Sequence, residues 1–196
     1  MNFFKRLFSS NKEEISNEQK GEHKMNFNEV FTNDYFNERY SEENIKPSAL
    51  EGCLKMVEGY FIDNKIERKI KSPINHPLNL DQTIDDGFGF DLYCKAFNLS
   101  DGEAALFLAL AFGDYLITNY GFKLYKDSQP EYPLRGMTLK YDKDGVLLSL
   151  YPFEYASKAL SYQATFEELY EKIESQLKKM PKVDDLLKDF TGRIEE

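Results

Sequence analysis

The chain has 196 residues, with 25 Lys and Arg against 34 Asp and Glu, a net charge of −9 and 41% hydrophobic content. That composition suits one globular domain with a tail, long enough to bury a core. It excludes a collagen, a disulfide miniprotein and an integral membrane protein.

The acidity bears on partners. An acidic chain repels phosphate backbones, and nucleic-acid binding needs clustered Lys and Arg. Lys178-Lys179 and Lys65 to Lys71 are short and flanked by acids, so no nucleic-acid partner is expected. An acidic face suits a basic protein partner instead. Cys53 and Cys94 each fall among apolar neighbours in a predicted helix and read as buried free thiols. That usage points to a reducing, cytoplasmic setting.

Met1, Phe4, Leu7 and Phe8 would share one helical face, beside Lys5 and Arg6. Such a foot could rest on a membrane surface as a peripheral anchor, or it could be a frayed end. Residues 9 to 26 are polar and cannot bury enough surface to offset their own ordering. Residues 1–26 therefore read as an apolar, basic segment and a disordered linker, and 27–196 as a single α+β domain. Residues 1–25 carry net +1, which leaves −10 on the remainder.

Residues 27–40, with Phe27, Val30, Phe31, Phe36 and Tyr40, read as a short helix or an irregular docking segment. Pro47 opens a helix to about residue 65 through Leu50, Cys53, Leu54, Val57 and Phe61. Ser72-Pro73 and His76-Pro77 interrupt the chain. Ile84, Phe88, Leu92 and Ala96 predict a second helix over 81–97, weakened by Gly87 and Gly89. Ser100 and Glu103 form a capping box for a third, Ala104 to Tyr120, apolar almost all round and stopped by Gly121.

The period then shortens. Strands are expected at Phe122 to Lys126, at Met137 to Tyr141 and at Val146 to Tyr151, the last two joined by Asp142 to Gly145 as a hairpin. Pro152 to Leu160 reads as helical. Thr165 and Glu168 form a second capping box, and the helix after it carries Leu169, Ile173 and Leu177. Pro181 stops that helix, and Val183 to Phe190 could form another. The expected fold is α+β. Helices come first, then a small antiparallel three-stranded sheet packed on the central apolar helix, then C-terminal helices.

Catalytic chemistry is thin. His23 lies in the linker and His76 in a loop, neither at a metal-ligand spacing. A Cys94–His76 pair has no activating motif. The carboxylate pairs Glu42-Glu43, Asp85-Asp86 and Asp184-Asp185 diverge on a helix and read as solvated faces. The Asp142 loop lacks the acids that an EF-hand needs. There is no phosphate-binding glycine loop and no nucleophile elbow. No cofactor and no metal are expected.

Two groups remain as candidate sites. Asp114 lies inside the most apolar helix and would need a partner if buried, with Arg135, Lys158 or tyrosine hydroxyls as choices. Tyr125, Asp127, Glu131, Tyr132, Tyr141, Asp142, Asp144 and Tyr155 gather tyrosines and acids around the sheet, a combination suited to binding a basic partner.

Phe112-Gly113-Asp114-Tyr115-Leu116, Tyr120-Gly121-Phe122, Leu147 to Pro152-Phe153 and Ser157-Lys158 together resemble a bacterial domain family of unknown function, over residues 47 to 180. The resemblance implies an α+β fold and no established activity. Separately, bacterial proteins of this size are often immunity partners of secreted toxins, and that analogy suggests such a role. The expected function is thus a non-enzymatic protein-binding domain. The alternatives are a ligand or enzymatic domain with a pocket near Asp114 and a peripheral membrane adaptor through residues 1–8.

Overall fold

A computed structural model describes residues 38–66, 71–143 and 146–179. The N-terminal segment and linker, the turn residues Asp144 and Gly145, and the C-terminal stretch with Asp184-Asp185 and Val183 to Phe190 lie outside the described residues. Asp142 and Lys143 close a strand.

The fold is α+β, with six α-helices and a four-stranded antiparallel sheet among the described residues. Strand β1 (Tyr40–Glu43) comes first. Four helices follow: α1 (Pro47–Asp63), α2 (Pro77–Asp85), α3 (Phe90–Ala96) and α4 (Asp101–Tyr120). Then come β2 (Lys123–Asp127), β3 (Met137–Lys143), β4 (Val146–Leu150), α5 (Pro152–Leu160) and α6 (Phe166–Lys179). The sheet order is β1-β2-β3-β4.

The fourth strand corrects the expected three. Tyr40 to Glu43 has no apolar alternation, so nothing in its composition predicts a strand. It is an edge strand held by β2, with Tyr40 opposite Asp127 and Glu43 opposite Leu124. Arg39 fixes its start by a two-pronged ion pair to Asp127, at 2.9 and 2.8 Å. The hairpin of β3 and β4 follows expectation, with Leu139 opposite Leu150 and Lys143 opposite Val146.

Helix α4 is the centre of the core, buried from Glu103 to Phe112 on every side. Both halves of its capping box form. The Ser100 hydroxyl accepts the Glu103 amide, and Glu103 accepts the Ser100 amide at 2.8 Å. Gly121 takes the left-handed conformation, φ 74°, that ends the helix. Helix α4 packs on the sheet at Gly113, where a β-carbon would make an ordinary contact with Leu139 at 3.6 Å. Leu124 and Leu139 line the same inner face.

The helix expected over 81–97 is two helices, and the first begins earlier, at Pro77. Asp86 is extended, and Gly87 and Gly89 have φ of 78° and 96°. Tyr60, fully buried on α1, staples this break. Its hydroxyl donates to the Asp86 carbonyl and accepts the Gly89 amide at 2.9 Å. The backbone must turn tightly around that hydroxyl, and a β-carbon on Gly87 would come within 2.6 Å of it.

Candidate functional site

The helix break rotates α3 out of the expected phase. Phe90, Tyr93 and Cys94 are its buried positions, at i, i+3 and i+4 spacing. Phe88 and Leu92, expected in the core, are instead 51% and 52% exposed. Phe97, at the end of α3, is 54% exposed, and Ile62 on α1 is 67% exposed.

These side chains stand on an ordered aromatic base. The Phe88 ring lies 5.9 Å from Tyr60 and 6.2 Å from Tyr93. Phe97 packs edge-on against Tyr93 at 5.1 Å. Tyr60 and Tyr93 meet edge-to-face at 5.3 Å. Such edge-to-face contacts add to area burial and hold the rings in place. Gly59 leaves room for the Tyr93 hydroxyl, where a β-carbon would come within 2.8 Å. Phe88 and Phe97 thus stand half exposed on buried rings, and the exposed Leu92, between them in sequence, completes an apolar ridge.

Acids surround it. The Tyr93 hydroxyl donates to Asp63 at 2.7 Å. Burial raises the Tyr93 hydroxyl to about 12, and the Asp63 carboxylate beside it adds to the rise. The charges of Asp86 and Asp91 act on the Tyr60 hydroxyl in the same sense, after burial. Asp91 has a cation nearby, Lys95 at 3.7 Å, which also reaches Asp101 at 2.8 Å. Exposed apolar area with an acidic rim is the anatomy of a docking surface.

The residues singled out from the sequence do not form one face. Asp127 is buried and committed to Arg39, whose guanidinium holds its carboxyl below the usual range. Tyr125 and Tyr141 stand on opposite sides of the sheet. The Tyr125 ring shares the outer face with Lys140, whose ammonium is 6.0 Å away, while Tyr141 packs on Phe122 at 5.4 Å. Tyr155 donates to the Thr165 carbonyl at 2.7 Å. Glu131 and Tyr132 both serve Arg135, by an ion pair at 3.2 Å and a ring contact at 5.0 Å.

Asp114 does not meet Arg135 or Lys158. It is half-buried, and its carboxylate accepts Asn75 at 3.0 Å. Burial raises its pKa and the Asn75 bond opposes that rise. Arg135 and Lys158 converge instead on Glu154, at 2.6 and 2.7 Å. They line a cleft of about 200 Å³ between β4, α5 and α6, with Tyr151 and Tyr155 in its wall.

His76 is a buried cap residue. Its Nδ1 accepts the Leu78 amide, and Tyr115 and Tyr170 stand edge-on to its ring at 5.2 and 5.7 Å. Cys94 is fully buried, and its thiol is pushed up to about 12 by desolvation, then by nearby acids. That is the reverse of an activated nucleophile. Among the described residues, no group of three His, Cys, Asp or Glu is placed to hold a metal ion, and no helix is long and apolar enough to cross a membrane.

No family model, curated protein or solved structure matches this chain.

Proposed function

We propose that this is a protein-binding domain that docks a basic partner on the Phe88–Leu92–Phe97 ridge. The observation that carries the reading is the ridge itself: three large apolar side chains, each half exposed, of which Phe88 and Phe97 are fixed on buried Tyr60 and Tyr93, with Asp63, Asp86 and Asp91 nearby. Apolar anchors supply affinity once water is excluded, and the acids select partner charge and speed encounter. The net charge of −9 favours a basic partner over a second copy of the same chain. Neutralising a basic toxin is the sharpest form of this reading.

The test is affinity capture from native cell extract with the wild-type chain and with Phe88→Ser/Leu92→Ser/Phe97→Ser, at low and moderate salt. The expected result is a stoichiometric basic protein, weakened by salt and lost with the triple variant. Equal capture by both chains, or no stoichiometric partner at either salt, would overturn the reading.

A further inference from the structure

A second surface has a different chemistry. In the cleft between β4, α5 and α6, the two oxygens of Glu154 are already taken, Oε2 by the Arg135 Nε and Oε1 by the Lys158 Nζ. Two cations thus share one carboxylate at the cleft wall. Arg135 spends one further N–H on Glu131, at the exposed rim. A guanidinium and an ammonium carry more N–H groups than these bonds consume. The Tyr155 hydroxyl is turned away, donating to Thr165. Each Glu154 oxygen therefore already carries a charge-assisted bond, while Arg135 and Lys158 keep N–H donors beyond those bonds.

The donors are also held in place. The Arg135 guanidinium lies 5.0 Å from the rings of both Tyr132 and Tyr151, within cation–π range of each. Glu154 is largely shielded, its side chain 18% exposed, so the pair it anchors is not a loose surface contact. Leu150 and Leu169 add an apolar wall. A volume of about 200 Å³ admits a small molecule and not a folded chain.

We propose that this cleft binds a small organic anion: a carboxylate or phosphate group on Arg135 and Lys158, with a flat apolar body against Leu150, Tyr155 and Leu169. An acceptor-bearing anion completes the unspent donors through charge-assisted bonds, and the aromatic and aliphatic wall covers the rest. The site is separate from the ridge, and the inference does not depend on the protein-docking reading.

The test is a titration of the full chain, followed by amide NMR, with phenyl phosphate, inorganic phosphate and benzyltrimethylammonium. Phenyl phosphate is expected to give saturable shifts at the amides of Leu150, Tyr151 and Phe153 to Lys158. Inorganic phosphate should bind more weakly and the cation not at all. Lys158→Met, on an exposed position of α5, should keep the fold and weaken phenyl phosphate about tenfold or more, as loss of one charge-assisted bond implies. Absence of saturable shifts at these amides would overturn the site. So would equal binding of the cation, or unchanged affinity in Lys158→Met. Inorganic phosphate binding as tightly as phenyl phosphate would remove the apolar body from the proposal.

Discussion

The carboxylate of Asp81, on α2, caps helix α6 at Phe166, a residue 85 positions further along the chain. It accepts the Phe166 amide at 2.7 Å and the Glu167 amide at 2.8 Å. The local cap expected from Thr165 and Glu168 is half formed: the Thr165 hydroxyl accepts the Glu168 amide at 3.2 Å. Phe166 follows its cap into the core, fully buried 5.1 Å from Phe112. One side chain thus ties the C-terminal helix to the helical half of the domain.

Removing that tie should be costly. Asp81→Ala is expected to destabilise the fold by about 1–3 kcal/mol, through the lost cap and the exposed helix amides. Chemical denaturation reads the change as a lower midpoint at an unchanged slope. Loss of far less than 1 kcal/mol would mean that Thr165 alone caps α6.

The same carboxyl predicts a pH dependence. Burial pushes Asp81 up to about 6, against the two amides that pull it down and with Asp85 and Glu167 adding to the rise. A folded pKa above the unfolded value means that the folded state keeps its proton longer. Stability then falls as pH rises from about 4 to about 6 and is level beyond that. Measured as wild type minus Asp81→Asn, the difference should shrink over that window by at most about 3 kcal/mol. A difference that grows over the same window would contradict the account.

Two glycines should respond in opposite directions. Gly87→Ala puts a β-carbon at φ 78° and against the Tyr60 hydroxyl, and should cost about 1–3 kcal/mol. Gly52 lies within α1 with nothing inside 4 Å of its would-be β-carbon. Gly52→Ala should be stabilising by about 0.5–1 kcal/mol, from helix propensity alone. Melting curves of the two variants decide this.

Asp127 is a structural residue in this account. Asp127→Ala removes both prongs of the Arg39 pair and the cap on the Gln129 amide. The edge strand β1 should loosen, with a loss of about 1–3 kcal/mol. Because Arg39 holds the Asp127 carboxyl low, its contribution is present above about pH 4 and lost as pH falls below that. Hydrogen exchange at Tyr40 to Glu43 should accelerate in the variant, and protection equal to wild type would contradict this role.

Local signals carried much of the fold. The α4 helix, its Ser100–Glu103 box and its Gly121 stop were legible because partner residues lie three or four positions apart. The β3–β4 hairpin and the Pro152 helix start were legible for the same reason. What escaped was set by distant partners. Strand β1 exists because β2 and Asp127 accept it, and α6 begins where Asp81 reaches it. The 81–97 periodicity fitted one helix through Phe88 and Leu92, yet Gly87 and Gly89 mark the turn around Tyr60. Reading those glycines as a break would have shifted α3 in phase and exposed the ridge. Asp114 reads as needing a partner, with Arg135 or Lys158 as choices, yet it meets Asn75, and Lys158 meets Glu154 one turn away on α5 while Arg135 reaches the same Glu154 from across the cleft.

Docking on the ridge is tested most sharply by a photo-crosslinking amino acid placed at Leu92 in the native cell, with the exposed Glu51 of α1 as the control position. One discrete adduct with a basic protein is expected at position 92 and none at 51. No adduct at 92, or the same adducts at both positions, would contradict docking on the ridge.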